Sequence, residues 1–364
     1  MIRALSPYYI TVPLQYTLSG TNTCEYFKLH IKIWSGDISA VPADNEIAYT
    51  INYDNTNGDT GSHTINVAPL LRDFIEFTPS DNGQTYGVLD SDNNQQWVRT
   101  YIEYDGLADD YQVVDEVFCS GYTYGDDGVN AETRGPDNAN RPQILLNDSD
   151  YSMNRGGIIS VPISLEDLTA PVTLNIESFP SGQISESETI SNTTDSDEMI
   201  KNVWIDTTSA TTDEYVRVTY NGDLIDFVLK DEHRFDPMTV FFINKYGAQQ
   251  TLIFFKEQRE SMKVTDNTFE SNIGQPSVGT HQFLRYNVQA RTTIKASTGF
   301  IDEDENEAIK QLMLSERVWM YDVNTGLTPL NIKTTSASFK TRQKERLINY
   351  DIEFLKGYND INNI

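Results

Sequence analysis

The chain has 364 residues, with 54 Asp and Glu against 27 Lys and Arg and a formal net charge of −27. Such an acidic surface repels phosphate and anionic lipid, which argues against direct binding of nucleic acid or membranes. The excess lies in residues 1–233, with 38 acidic and 11 basic residues, whereas residues 234–364 carry 16 of each. An acidic front and a charge-balanced end favour a part of an assembly over a free-standing enzyme.

The acidic front begins with short strands. Residues 26–34 alternate between apolar and polar side chains, which is the pattern of a strand with one buried face. Residues 68–75 change to helical spacing and start near a proline, which predicts one or two helical turns. Six or seven short strands in about 110 residues are typical of an immunoglobulin- or fibronectin-like sandwich. We predict such a β-sandwich domain, with a short helical insert, over residues 1–125.

The middle of the chain divides into two parts. Residues 126–156 lose periodicity and are predicted to form a loop or linker. Strand patterns return over 157–233, where Tyr220-Asn221-Gly222-Asp223 is a strong hairpin signal. We predict a second, smaller and acidic β-sandwich domain here, interrupted by a mobile Ser/Thr/Asp/Glu-rich loop over 181–199.

The charge-balanced end has its own signals. Residues 238–255 read as a tight hairpin with two apolar faces, which should be covered on both sides. Residues 283–296 alternate as a long strand. An acidic run followed by apolar residues at helical spacing predicts a helix near 302–315. Residues 234–364 are therefore predicted to form a β-rich assembly or docking domain with one clear helix, in a chain that is mainly β.

The sequence singles out no catalytic, cofactor-binding or metal-binding residue. No phosphate loop, dinucleotide fingerprint or metal-ligand spacing occurs, and we interpret all four histidines as structural, His30 as an exposed strand residue. Cys24 and Cys119 lie in strand-like runs and are predicted to be buried free thiols. Acidic loops at 54–59 and 126–128 offer oxygen ligands, so calcium stays an alternative to the absence of any cofactor. The basic cluster at 340–346 favours docking to an acidic surface, including the front of a neighbouring copy.

A resemblance adds to this picture. The segment 239–256, TVFFINKYGAQQTLIFFK, and the ending 349–364, which starts with NYDIEF, resemble virion structural proteins of tailed phages of Bacteroidota, including crAss-like phages. Residues 25–34 and 68–75 are similar to that group as well. The resemblance covers both ends of the chain and implies a tail, collar or baseplate component. It transfers no active site.

We therefore expect a non-enzymatic virion protein that assembles through its C-terminal domain. Its partners would be other copies of itself, in a symmetric homo-oligomer, and other virion proteins. With no secretory signal and no apolar span, it is expected to be made in the bacterial host cytoplasm before it enters the virion.

Two other functions remain open at this point. One is a carbohydrate- or receptor-binding module that uses aromatic residues of the front, namely Trp34, Trp97, Trp204, Tyr122 and Tyr124. The other is a polysaccharide hydrolase that uses a pair of carboxylates, for which Asp109/Asp110, Asp115/Glu116 and Asp126/Asp127 are candidates. Solvated loop carboxylates are the favoured explanation of these acidic pairs.

Overall fold

The protein is mainly β, with 56% strand and 7% helix, which confirms the predicted class. The computed structural model describes residues 2–3, 5–16, 22–35, 40–43, 46–75, 77, 79, 86–90, 95–105, 107–119, 121–122, 143–147, 150–165, 171–190, 200–232, 234–271, 278–279, 281–322, 324–339 and 348–361. Within these ranges, neither α-helix is long and apolar enough to span a membrane.

The described part of the front forms a five-stranded sheet and two two-stranded sheets. Its elements are β1 (Ile2–Arg3), β2 (Tyr9–Pro13), β3 (Gln15–Tyr16), β4 (Asn22–Thr23), β5 (Tyr26–Trp34), β6 (Tyr49–Asp54), β7 (Ser62–Asn66), α1 (Ala68–Arg72), β8 (Tyr86–Asp90), β9 (Gln95–Tyr104) and β10 (Leu107–Cys119). The first has the order β1-β10-β9-β5-β6, β2 pairs with β7 in the second, and β3 pairs with β4 in the third. Val12, Phe27 and Ile102 from the first two sheets share one buried cluster. Helix α1 lies where helical turns were predicted.

The middle of the chain contributes two further sheets. Its strands are β11 (Asp150–Asn154), β12 (Ile158–Ser164), β13 (Val172–Phe179), β14 (Ser185–Ile190), β15 (Ile200–Asp206), β16 (Tyr215–Tyr220) and β17 (Asp223–Lys230). The sheet orders are β11-β17-β16-β13-β14 and β12-β15-β8. The predicted hairpin at 220–223 joins β16 to β17. β8, which comes from the predicted first domain, pairs with β15 from the predicted second.

The predicted loop over 181–199 is wrong for its first half. β14 pairs along its whole length with β13, from Glu177 opposite Ser185 to Val172 opposite Ile190. β14 lies at the edge of its sheet, and Ile190 is its only buried residue. Its other side chains are polar, so the sequence lacks the apolar alternation that predicts a strand. Backbone hydrogen bonds to β13 suffice to hold such a strand without an apolar stripe of its own. Residues 191–199 lie outside the described residues.

The end of the chain forms a seven-stranded sheet. Its elements are β18 (Met238–Ile243), β19 (Gln249–Phe254), β20 (Arg259–Glu270), β21 (Phe283–Ser297), α2 (Asn306–Leu314), β22 (Val318–Asp322), β23 (Gly326–Ile332) and β24 (Asp351–Lys356). The order is β19-β18-β22-β23-β24-β21-β20. A 3₁₀ turn, Glu303–Glu305, leads into α2, which confirms the helix predicted near 302–315. The predicted hairpin is β18–β19.

A continuous apolar core crosses residue 233, where the sequence predicted a domain boundary. One buried cluster contains Val161 and Val218 from before this position and Val240 and Phe354 from after it. Phe241, on the other face of β18, is also fully buried, so both faces of the hairpin are covered as predicted. The limits of the four predicted segments stay a prediction. The packing, however, places residues from the predicted domains 157–233 and 234–364 in one core.

Candidate functional site

The side-chain amide of Asn55 holds the loop at 54–59, which the sequence offers as a calcium site. Asn55 is buried, and its Nδ2 donates to the backbone oxygens of Cys24 and Asp59, both at 2.9 Å. Its Oδ1 accepts from the backbone N–H of Asp59 at 2.9 Å. Among the described residues, no group of three or more His, Cys, Asp or Glu side chains could hold a metal ion. The other loop, 126–128, lies outside those residues.

The prediction that His30 is exposed is wrong. Its ring is buried and stacks on Tyr101 with 4.7 Å between ring centroids. Its Nδ1 lies 3.0 Å from Thr50 Oγ1, and its Nε2 lies 3.2 Å from Glu103 Oε2. Alternation assigns His30 to the polar face of β5 correctly, but side chains of the flanking strands β6 and β9 cover that face.

The aromatic residues proposed for a sugar-binding groove do not form one. Trp34, Trp97 and Trp204 are all buried, whereas Tyr122 is exposed. Tyr124 and the pair Asp126/Asp127 lie outside the described residues, and nothing is known of the side chains of the other two acidic pairs. Cys24 is a buried free thiol, as predicted, and the side chain of Cys119 is not described.

A cleft of about 460 Å³ lies where the front meets the last sheet. Tyr122 lines it from the front, and Leu314 and Arg317 line it from the end of α2 and beyond. Glu316 is the single carboxylate among its described lining residues, with three cations around it. Glycoside hydrolysis needs two facing carboxylates, and the described lining of this cleft supplies one.

Two buried carboxylates with shifted pKa values have structural partners. Burial alone would raise the pKa of Asp213, but hydrogen bonds from Ser178, Ser181 and Gln183 outweigh it and lower the pKa to about 2. Burial raises the pKa of Glu305, whose Oε1 accepts from Ser152 Oγ at 2.6 Å. Each carboxylate joins separate segments of the fold, which explains its burial without catalysis.

The most unusual surface is a two-stranded projection of the last sheet, which we call the arm. It consists of β20 and residues 283–292 of β21. β24 pairs only with the inner part of β21, from Thr293 to Ser297. Beyond that point β21 has β20 as its partner, with one isolated bridge between Ala290 and Asp360. Every residue of β20 is exposed except the half-buried Asp266.

The arm has a defined internal structure. A bulge shifts the register of β20 against β21, and Asn287 takes a left-handed backbone conformation there, with φ +51°. Arg285 forms an ion pair with Asp266 across the two strands. The rings of Phe269 and Tyr286 meet edge to face at 5.7 Å. These contacts hold the arm as a twisted ribbon.

One face of the arm carries exposed apolar side chains, although Ala290 and Thr292 on the same face are buried. It continues the side of the sheet that, nearer the core, carries the buried Ile294. On the arm this face presents Met262 and Val264, which are 63% and 42% exposed, and Val288, which is 36% exposed. Contiguous apolar patches on the surface of a protein mark interaction sites. The exposed part of this face, formed by Met262, Val264 and Val288, is therefore a candidate contact surface.

The opposite face of the arm is basic. Arg259 lies directly opposite Lys295, and Lys263 lies directly opposite Arg291. Arg259 and Lys295 pair with carboxylates of their own surroundings. In the described part of the chain Lys263 and Arg291 form no ion pair, although Arg291 Nε donates to Asn359 Oδ1 at 3.2 Å. Like charges directly opposite each other destabilise a sheet, so this face carries an unrelieved cost.

Sequence reasoning missed the arm because its first strand gives a weak pattern. β20 has charged or polar residues on both faces, and its only periodic signal is Met262 and Val264 two residues apart. The predicted strand at 283–296 was correct and matches β21. Pairing partners cannot be read from alternation, so nothing in the sequence indicated that half of β21 leaves the core.

Comparisons with known proteins give little further information. No protein-family model matches the sequence, and no curated protein is similar to it. Among solved structures, the chain has some likeness to one titled as the tail of an empty GTA (gene transfer agent) particle computed with helical refinement and C6 symmetry. That match has a TM-score of 0.25 and 15% identity, and covers 35% of this chain and 96% of the other. A TM-score of this size does not establish a shared fold.

Proposed function

We propose that the protein is a non-enzymatic structural component of a tailed-phage virion, in the tail, collar or baseplate. The observation that carries this proposal is the arm, whose exposed apolar face extends the core side of the last sheet. Such a face gains free energy when a neighbouring protein covers it, at roughly 25 cal/mol per Å² of apolar surface. The arm thus supports assembly through the C-terminal part of the chain.

The segments that carry the sequence resemblance lie in the same part of the molecule as the arm. Residues 239–256 span the hairpin β18–β19, and residues 349–354 enter β24. Both segments therefore belong to the sheet that carries the arm. The two carboxylates with shifted pKa values, Asp213 and Glu305, have structural partners, which supports a role for them in the fold.

The test is the mass of the full-length protein in solution, with point substitutions in the arm. Removing residues 234–364 would cut through the shared core, so truncation is a poor probe. We expect the unaltered chain to form a defined oligomer and the variant with Met262→Ser and Val264→Ser to dissociate. Leu224→Ser with Val228→Ser is the matched control, because these side chains are 45% and 41% exposed on another sheet.

Sedimentation velocity or mass photometry gives the readout. The control should keep the oligomer, since it removes similar exposed apolar surface elsewhere. A chain that neither self-associates nor binds any other protein of a virion would overturn the proposal. If the arm variant assembles as well as the control, the arm does not form the contact between subunits.

A further inference from the structure

We infer that the basic face of the arm docks onto an acidic surface of a second copy of this chain, at the edge strand β14. The inference rests on the proposed function and names the contact that orients one copy against the next. Three observations carry it: two cations of the arm that form no ion pair with a described residue, the recess between them, and two carboxylates of β14 that form none either.

The basic face contains a recess suited to an anionic side chain. It measures about 350 Å³ and is lined by Lys263, Thr265, Gln289, Arg291 and Asn359. All five are polar, two are cations and none is a carboxylate. The repulsion between Lys263 and Arg291 is relieved when a carboxylate lies between them. Within the described part of this chain no carboxylate does so.

The acidic surface is the exposed edge of the sheet β11-β17-β16-β13-β14. Glu186 and Glu188 on β14 are exposed and form no ion pair with any residue that the structure describes. They lie opposite Ile176 and Leu174, so both point to the same side of the sheet. Neither β13 nor β14 contains a Lys or Arg. Two carboxylates spaced two residues apart on one side match a recess flanked by two cations.

A second copy is the partner that fits this pattern. Nucleic acid and anionic lipid also carry negative charge, but a chain with a net charge of −27 repels both. Copies of this chain repel one another as well, except where the basic face meets an acidic one. Complementary charge thus selects a head-to-tail orientation and disfavours contacts between two acidic fronts. A contact between two different patches of the same chain closes into a ring or continues as a filament.

The experiment is a charge swap in the full-length chain. One variant carries Lys263→Glu and Arg291→Glu, a second carries Glu186→Lys and Glu188→Lys, and a third carries all four substitutions. We expect each double variant to weaken self-association about tenfold or more, and the third to regain most of it. An equimolar mixture of the two double variants should also associate, because each supplies the surface that the other needs.

The control changes the same charge at another site. Asp54→Lys with Asp59→Lys raises the net charge as much as the β14 variant does, and both residues are exposed, one at the end of β6 and the other in the turn after it. Circular dichroism confirms that each variant is folded. If this control weakens association as much as the β14 variant, general charge explains the effect and the inference is overturned.

The remaining outcomes separate this inference from the proposed function. If the arm variant weakens association but the β14 variant does not, the arm binds elsewhere and the inference fails. If neither variant has an effect while the oligomer persists, the inference fails and the proposed function stands. If the unaltered chain is monomeric and binds only other virion proteins, a second copy is not the partner. If it binds nothing, the proposed function itself fails.

Discussion

Replacing Phe241 with alanine tests whether residues on both sides of position 233 unfold as one unit. Phe241 lies on β18 and is fully buried. Its ring meets the ring of Trp204 on β15 at 5.6 Å and stacks on Tyr321 at 5.3 Å. Truncation of a buried Phe to Ala costs about 3–5 kcal/mol, because apolar contacts are lost and a cavity remains. For a unit of this size, that lowers the melting temperature by roughly 6–20 °C.

The assay is thermal and urea unfolding, followed by far-ultraviolet circular dichroism and by tryptophan fluorescence. Because the core is shared, we expect a single transition that moves as a whole for the part of the chain from β11 to β24. Phe300→Ala serves as the control, since Phe300 is exposed and its truncation should change stability by less than about 0.5 kcal/mol. A double-mutant cycle of Phe241→Leu and Trp204→Leu should give a coupling of about 0.5–1.5 kcal/mol. Separate transitions of β11–β17 and β18–β24, of which Phe241→Ala shifts only one, would refute the shared core.

Three further predictions concern single residues. A Cβ on Gly121, where φ is +118°, would lie 2.5 Å from a carbonyl oxygen of the β18–β19 turn. Gly121→Ala should therefore cost more in unfolding free energy than Gly222→Ala, which has open space and pays only about 1–2 kcal/mol for its positive φ; equal costs would contradict the close contact. The pKa of Asp213 is lowered to about 2, so its contribution to stability is present above about pH 4 and lost as pH falls through about 2. Melting curves of Asp213→Asn and of the unaltered chain should converge over that interval, and curves that stay parallel would argue against it. Asn55→Ala leaves three backbone groups, one of them buried, without their partner and should cost about 1–3 kcal/mol in urea unfolding, whereas the exposed Asn52→Ala should be near neutral.

The parts of the fold that the sequence predicted are those where a local pattern decides the structure. β5 alternates over all its residues, and the 3₁₀ turn and α2 follow an acidic first turn with apolar residues at helical spacing. The hairpin β18–β19 is apolar on both faces, and both are covered. β14 was missed because it is held by backbone pairing and contributes little to the core. Which strands pair, as β8 does with β15, depends on contacts far apart in sequence.

The candidate site was beyond the reach of sequence patterns for a related reason. The charge balance of residues 234–364 predicts an assembly role for this part of the chain, but the balance hides a separation in space. Lys263 and Arg291 lie 28 positions apart and become neighbours only through the register of β20 and β21. Similarly, His30 was assigned to the correct face of β5, but its burial depends on how far neighbouring strands extend. Pattern gives the face of a strand, and only the assembled sheet gives its surroundings.

The way in which the sheets end explains why the arm is suited to assembly. An open strand edge invites uncontrolled pairing with other chains, and proteins protect it by burial or by charge. β19, at one edge of the last sheet, is almost entirely buried, and β14 places two glutamates on the core side of its edge. β20, at the other edge of the last sheet, is long and exposed, with charges along its length. Because the arm lies outside the core, substitutions there should change association while leaving the unfolding free energy within about 0.5 kcal/mol. We therefore expect that substitutions in the arm separate assembly from folding in this protein.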